Sequence, residues 1–387
     1  MRRLLVLASV VVFLDVMFFT AITPLLPAYA DDLGLSKGAA GILSGSFAAG
    51  TLIASLPAGL MAARVGARPT LLAGLALLGA SCVAFGFADD IVVLDAARFG
   101  QGVSSALAWS GALTWVILAA PKSRRGSVIG GILGVAVAGE LFGPAIGALA
   151  DSAGTEVVFS CVAVVAIALG VAAMRMPDPG RDPRELGEFR ATLLEPAVLR
   201  ATWFVAAPAI VFGLIVVLVP LRIDELGGSA TLVAGGFIIG AACEALTAPI
   251  VGRLSDRVGR LRPYVIGLVV CGVATAILPL PDALGLVVAA LVAIAIGSGF
   301  CFPPAMTMLS DAASATGLPQ GLAAGLINVA WAGGQVSGSV GGGALAGVAG
   351  DVLPCLLAAG VVALTFVYAL SAGASPRSPG PAPAPTD

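Results

Sequence analysis

The 387-residue sequence is 59% hydrophobic and only 11% charged, with a mean hydropathy of +1.05. Soluble domains carry about 25% charged residues, so this chain cannot cover itself with a polar surface and we expect an integral membrane protein. A net charge of −2 argues against a nucleic-acid partner, and the absence of histidine excludes imidazole metal sites and imidazole proton relays.

The cysteines predict neither a disulfide framework nor a zinc site, because all six lie in apolar runs without CxxC spacing. We expect them to be small buried packing residues. They are Cys82, Cys161, Cys243, Cys271, Cys301 and Cys355. No metal and no cofactor is predicted for this chain.

Apolar runs between polar breaks predict twelve transmembrane helices. A bilayer core about 30 Å thick needs ~20 helical residues to cross it. The expected bounds are 4–29, 39–63, 69–88, 91–119, 127–150, 156–175, 201–221, 229–251, 263–280, 284–309, 320–348 and 352–372. The predicted fold class is therefore an all-α integral membrane protein, with continuous helices because lipid offers backbone groups no partners.

Charge predicts the orientation of these helices. Of the 20 lysines and arginines, 17 fall on one side, called the basic face below; the exceptions are Lys37, Arg98 and Arg222. The opposite face has short, acidic loops. By the positive-inside rule we expect the basic face and both termini to be cytoplasmic. The Ala-, Gly- and Arg-rich, Lys-poor composition indicates a bacterial chain, so the expected location is a bacterial inner membrane, which the protein spans several times. The basic-face residues are Arg2, Arg3, Arg64, Arg68, Lys122, Arg124, Arg125, Arg175, Arg181, Arg184, Arg190, Arg200, Arg253, Arg257, Arg260, Arg262 and Arg377.

The only long polar segment divides the spans six and six. The expected organisation is an N-terminal six-helix bundle (1–175), a cytoplasmic linker (176–200), a C-terminal six-helix bundle (201–372) and a proline-rich tail (373–387) without apolar anchors, predicted to be disordered. Glycine spacing indicates that the halves are repeats. Gly130, Gly139, Gly143 and Gly147 recur 195 residues later as Gly325, Gly334, Gly338 and Gly342.

Two loops carry a second repeated pattern. "GLMAARVGAR" at 59–68 and "GRLSDRVGR" at 252–260 join the second and third spans of their halves. Both resemble the cytoplasmic motif of the major facilitator superfamily, although the first has Ala63 at the motif's aspartate position. The resemblance extends over all twelve spans and implies two pseudo-symmetric six-helix bundles with a substrate site between them. In that family the loops act as a conformational latch, here Gly59, Arg64, Gly66, Arg68, Gly252, Asp256, Arg257, Gly259 and Arg260.

Span four contains an intramembrane arginine. Arg98 lies about 12 Å inside the span at 1.5 Å per residue, where an unpaired charge costs at least ~2.5–3.5 kcal/mol. Asp95 at i−3 could form a purely structural pair with it. "RFGQG" also resembles the family's Arg-x-x-Gln-Gly motif, in which the arginine faces the central cavity and influences proton uptake. The functional interpretation is favoured.

Span five resembles the family's antiporter motif. The matching residues are Gly130, Gly139, Gly143, Pro144 and Gly147, while the motif's last glycine is Ala148. Glycines four residues apart form a flat face for close helix packing, which is the simpler interpretation, and Pro144 predicts a kink. The resemblance implies a drug/proton antiporter rather than a symporter.

Span one places a carboxylate, Asp15, in an apolar run. "FLDVMFFTAITPLLP" resembles the first span of drug/proton antiporters, and especially of vesicular amine transporters, in which this aspartate recognises a cationic amine. Other acids of those transporters have no counterpart in this sequence. Span eleven, for example, has the amide Asn328 and no acid. We expect Asp15 to face a cavity, a proton or a cationic partner, since a charge inside a membrane is costly.

Two further acids, Glu140 in span five and Glu244 in span eight, lie within apolar helices. The family packs these spans together, so the two side chains are expected to approach one another, where burial and like charge both favour protonation. A hydrogen-bonded, purely structural Glu244 remains the alternative. Trp331 could line the pocket or only pack.

The predicted function is proton-coupled efflux of small amphiphilic or cationic molecules by alternating access, by a monomer in a lipid bilayer. Asp15, Arg98, Glu140, Glu244, Asn328 and Trp331 are the candidate substrate and proton residues. An importer or uniporter of a small metabolite, such as a sugar or organic acid, is the alternative. An enzyme is not expected, because the sequence has no Ser–His–Asp set, HExxH motif or phosphate loop.

Overall fold

The computed structural model describes residues 2–120, 125–177, 194–316 and 320–373. All regular elements in these ranges are helical, which confirms the all-α prediction. They are α1 (Arg2–Asp32), α2 (Lys37–Arg64), α3 (Ala67–Gly86), α4 (Ile91–Ala119), α5 (Arg125–Ala153), α6 (Thr155–Met174), α7 (Pro196–Glu225), α8 (Ala230–Val258), α9 (Leu261–Ile277), α10 (Leu284–Ala315), α11 (Gln320–Val336), a π-helical turn (Ser337–Gly341), α12 (Gly342–Ala349) and α13 (Val352–Gly373).

Within the described ranges the chain forms twelve helical rods, because α11, the π-helical turn and α12 continue into one another. In the described part of the chain, ten helices are long and apolar enough to cross a membrane, and α9 is a shorter apolar helix. Several helices are longer than hydropathy predicted: α7 begins at Pro196 rather than 201, and α8 ends at Val258 rather than 251. Polar residues at these ends continue the helix beyond the apolar run that identified the span.

Corresponding helices make corresponding contacts in the two halves. In the first half α1 packs on α5, α2 and α3 pack on α4, and α3 packs on α6. In the second half α7 packs on α11, α8 and α9 pack on α10, and α9 packs on α13. The same packing pattern, six spans later, confirms the two pseudo-symmetric six-helix bundles. The segments 178–193 and 374–387, which include most of the predicted linker and tail, lie outside the described residues.

The repeated glycines explain this symmetry at atomic level. A Cβ added to Gly139 on α5 would lie 2.6 Å from the carbonyl oxygen of Phe13 on α1. A Cβ added to Gly334 on α11 would overlap the carbonyl oxygen of Ala206 on α7. In both halves only glycine allows the two backbones to approach this closely.

Glycines also make the turns at the basic face. Gly66 between α2 and α3 has φ of 124°, and Gly259 between α8 and α9 has φ of 86°. L-residues with side chains rarely adopt such values, so these two positions of the repeated loop motif require glycine.

The halves contact each other along two seams. α2 packs against α11, the π-helical turn and α12, while α5 packs against α8. Gly41 and Gly45 of α2 allow close contact with Ser339 in the π-helical turn. The predicted eleventh span is therefore continuous but contains a π-helical turn where it contacts α2 of the other half, and π-helical turns are frequent at functional sites.

Candidate functional site between the two halves

Asp15 lies near the middle of α1 and is almost completely buried, with 3% of its surface exposed. Two donors from α4 bind the same carboxylate oxygen. Ser105 Oγ donates to Asp15 Oδ2 at 2.7 Å, and Trp109 Nε1 donates at 2.9 Å. Ser105 and Trp109 are one helical turn apart on the same face of α4, so they fix the orientation of the carboxylate.

Arg98 also lies between α4 and α1, and its partners are not the Asp95 of the alternative, purely structural interpretation. Its guanidinium donates to the carbonyl oxygens of Phe18 and Phe19 at 3.3 and 3.1 Å, and to Gln101 Oε1 at 3.0 Å. It also lies 5.1 Å from the ring centre of Phe47. Asp95 is not among these partners, and its Oδ1 has no hydrogen-bond partner among the described residues. Backbone carbonyls and the Gln101 side chain are the hydrogen-bond acceptors of the buried cation.

Glu140 of α5 and Glu244 of α8 line the same small cavity, in agreement with the expectation that the two side chains approach one another. Its volume is about 30 Å³, which is room for one or two water molecules. Thr20 and Thr23 of α1 line its other side, and the remaining lining residues are mostly apolar. The cavity therefore lies between the halves and contains two carboxylates and two hydroxyl groups. Asp15 is not among the lining residues.

The antiporter-type glycines connect this cavity to α1. A Cβ on Gly143 would overlap Thr20 Oγ1 and the Met17 carbonyl, and one on Gly147 would overlap the Ala21 carbonyl. Thr20 Oγ1 lies 3.4 Å from the carbonyl oxygen of Glu140. The motif therefore fixes Glu140 against the segment of α1 that also carries Asp15.

An aromatic cluster bridges the halves beside Asp15. Phe19, one turn after Asp15, has ring-centre distances of 4.8 Å to Phe47, 6.4 Å to Phe212 and 5.3 Å to Trp331. Phe19 and Phe47 belong to the first half, whereas the other two belong to the second. The edge contact with Trp331 and the stacked contact with Phe212 attract the two halves to each other at this point. Asn328, three residues before Trp331 on α11, is half-buried.

An ion-paired cluster on the opposite face was not predicted as functional. Lys37 Nζ, at the start of α2, lies 2.8 Å from Glu225 Oε1 and 2.6 Å from Asp351 Oδ1. Glu225 ends α7 and Asp351 precedes α13, so both partners belong to the other half. Lys37 was recognisable as the single lysine among acidic loops, but the sequence did not identify its partners.

The repeated basic-face loops make different contacts in the two halves. Arg68 Nη1 donates to the carbonyl oxygen of Met176, just after α6, at 3.2 Å. Arg260 forms an ion pair with Asp311 of α10. Arg64 and Arg257 are exposed, and Gly59 and Gly252 lie within α2 and α8. The side chain of Asp256 and the surroundings of Gly130 lie outside the described parts of the chain.

The cysteines follow expectation with one exception. Cys82, Cys271, Cys301 and Cys355 are buried and Cys243 is partly buried. The prediction was wrong for Cys161, which is exposed. It lies on α6, whose outer surface is apolar and suited to contact with lipid.

The sequence matches the Major Facilitator Superfamily over residues 8–317 and 209–387. The chain belongs to the major facilitator superfamily. A bacterial homologue of the human lysosomal transporter Spinster, in an inward-facing and unoccupied conformation, has the same fold with a TM-score of 0.77. The match covers 95% of this chain and 96% of that one at 15% identity, a level that shows the fold alone.

Several curated relatives are named as transporters. The human MFS-type transporter SLC18B1 is 26% identical over 355 residues, 86% of this chain and 77% of that protein. A probable vesicular acetylcholine transporter-B of Danio rerio is 32% identical over 194 residues, 47% of this chain and 39% of that protein. The chain spans 25% and 36% of the MFS-type transporters ppzB of Metarhizium rileyi and Metarhizium majus. These names agree with the prediction that the chain is not an enzyme.

Proposed function

We propose that this protein is a proton-coupled exporter of small organic cations or amphiphiles. The observation that carries the proposal is the Glu140–Glu244 cavity, in which two carboxylates from different halves face one small space. Two carboxylates that line one small cavity would share a proton more readily than both ionise, because like charges repel strongly in a medium of low dielectric. Binding or loss of that proton would change the attraction between α5 and α8.

The substrate class follows from the surroundings of Asp15. A cationic group can neutralise the buried carboxylate, and aromatic faces attract cations by about 0.5–2 kcal/mol each. Trp109 is already bonded to Asp15, and Phe19 begins the aromatic cluster one turn away. The name of the Danio rerio relative, a probable vesicular acetylcholine transporter-B, supports an organic cation as substrate.

Alternating access would use the two seams between the halves. The Lys37 ion pairs close the opposite face in this structure, and the cluster around Phe19 closes the centre. Rocking of one half against the other would break these contacts and expose Asp15 and Glu140. The basic-face loops, through Arg68 and Arg260, would limit the same motion from the other side.

The proposed setting is a bacterial inner membrane, with the protein acting as a monomer. The excess of arginine at the basic face supports a cytoplasmic location for that face and for both termini. Protons entering from the opposite face would then drive substrate out of the cell.

Purified protein in proteoliposomes containing a pH-sensitive dye tests this function. A panel of fluorescent aromatic cations is first screened for efflux from cells that lack their own pumps, and the best probe is used in the vesicles. We expect addition of that probe to change lumenal pH in wild-type vesicles but not in empty ones. Transport of the probe without any pH change, and without response to an imposed pH gradient, would instead identify a uniporter.

A further inference from the structure

A groove between α7 and α13 opens outward, away from the seam between the halves. It has a volume of about 570 Å³ and is lined by Pro196, Leu199, Arg200, Trp203, Leu364, Thr365 and Tyr368. Leu364 is 72% exposed, Leu199 is 50% exposed and Trp203 is 40% exposed. Both helices are apolar enough to span the membrane, so this groove faces lipid rather than water.

The walls of the groove are held in place by a hydrogen bond between the two helices. Trp203 Nε1 donates to Thr365 Oγ1 at 3.0 Å, and Thr365 Oγ1 donates in turn to the Val361 carbonyl at 2.8 Å. The ring of Tyr368 packs edge-on against that of Phe204, with 5.9 Å between centres. Trp203 and Tyr368 therefore form a fixed aromatic wall near the basic-face ends of α7 and α13, the depth at which such residues mark the membrane boundary.

One cation lies at the end of this apolar groove. Arg200 is exposed and stands about one helical turn from the start of α7. Within residues 2–120, 125–177, 194–316 and 320–373, no carboxylate lies at ion-pair distance from it. A basic group at the membrane boundary, followed by an apolar channel toward the bilayer centre, complements an anionic headgroup followed by an acyl chain.

We propose that this groove binds one anionic phospholipid, with its phosphate at Arg200 and an acyl chain along Trp203 and Leu364. The site is independent of the transport proposal, since it shares no residue with the cavity between the halves. Because α7 carries the groove on one side and Phe212 of the aromatic cluster on the other, the lipid would stabilise the helix that both surfaces share.

Tryptophan quenching by brominated lipids tests the site directly. The full-length protein is placed in phosphatidylcholine nanodiscs containing equal mole fractions of brominated phosphatidylglycerol or brominated phosphatidylcholine. The contribution of Trp203 is the difference between wild type and Trp203→Phe. We expect this contribution to show about fivefold higher apparent affinity for the brominated anionic lipid, as expected for one arginine near a membrane surface.

Arg200→Gln should remove the anionic preference while leaving quenching by both lipids. Arg175→Gln changes another exposed arginine at the basic-face end of a helix and should retain the preference. Equal quenching of Trp203 by both lipids in wild type would overturn the proposal, leaving an ordinary lipid-facing surface. The absence of Trp203 quenching by either lipid would also overturn it, because another part of the chain would then cover the groove.

Discussion

Replacing Lys37 by methionine should increase the fraction of molecules in which the two halves are separated at the face opposite the basic face. Lys37 is bound to Glu225 and Asp351, and both pairs connect the first half to the second. The side chains of Lys37 and Glu225 are 23% and 42% exposed, so solvent screens their attraction. Asp351 is only 14% exposed and lies closer to the lysine nitrogen, so it should contribute the larger share.

The size of this population shift can be worked out from the stability that exposed ion pairs usually contribute. Exposed ion pairs contribute about 0.2–1 kcal/mol each, so two pairs bias the closed state by about 0.4–2 kcal/mol. Loss of both should raise the population with an open opposite face by about two- to thirtyfold. Methionine keeps the length of the side chain and removes only its charge, so packing around α2 should be little changed.

Pulsed electron paramagnetic resonance between the halves measures this population. Spin labels at Asp32→Cys and Thr231→Cys occupy exposed positions at the end of α1 and the start of α8 on that face. Cys161 and Cys243 are first replaced by serine, because they are not fully buried. Lys37→Met should increase the share of long distances, while Lys37→Arg should retain the short ones.

Arg222→Met is the matched control for charge removal. Arg222 also pairs with two carboxylates, Glu225 and Asp282, but all three belong to the second half. Its loss should leave the distance distribution between the halves unchanged. An unchanged distribution in Lys37→Met, or an equal shift in Arg222→Met, would refute the assignment of Lys37 as a contact that holds the two halves together.

Three further substitutions test the contacts around α1. The methyl group added by Gly143→Ala would overlap Thr20 and Met17 and should destabilise the protein by about 1–3 kcal/mol in thermal unfolding. Gly134→Ala has nothing within 4 Å of the added atom and should not destabilise it, so equal losses of stability in the two variants would contradict the packing role of Gly143. Arg98→Lys loses the fork of donors to Phe18 and Phe19 and should cost about 1.5–3 kcal/mol, and wild-type stability would contradict that role. Trp109→Phe removes a donor to Asp15 and should raise KM for a cationic substrate about tenfold, which corresponds to the loss of one charge-assisted hydrogen bond. Trp115→Phe on the same helix should leave KM unchanged, and an unchanged KM in Trp109→Phe would contradict a role of Asp15 in substrate binding.

The fold could be predicted because its determinants are local and repeated. Hydropathy identified twelve spans, and the 195-residue displacement of Gly139 and Gly334 identified the symmetry that the contacts with Phe13 and Ala206 confirm. That Glu140 and Glu244 lie near each other was also predictable, because the family that the sequence resembles packs its fifth and eighth spans together. Helix ends were underestimated, since polar residues beyond the hydrocarbon core remain helical.

The partners of the buried polar groups were not predictable, because they depend on side-chain orientation across helices. Spacing on one helix offered Asp95 as a possible structural partner of Arg98, yet the guanidinium donates to carbonyls of α1. Asp15 was expected to face a cavity, a proton or a cationic partner, and the sequence did not identify Ser105 and Trp109 as the donors that bind it. In sequence, Glu225 lies about half the chain length from Lys37 and Asp351 lies farther still, and single-sequence patterns contain no information on such pairs.

Proton movement coupled to substrate exchange in the carboxylate variants tests the central claim most directly. Proteoliposomes with an outward gradient of the transported cation are followed for lumenal pH and for exchange of labelled substrate. The account predicts that Glu140→Gln combined with Glu244→Gln abolishes the pH change but retains exchange, because Asp15 still binds the cation. A pH change of wild-type size in this double variant would contradict the assignment of proton coupling to the cavity between the halves.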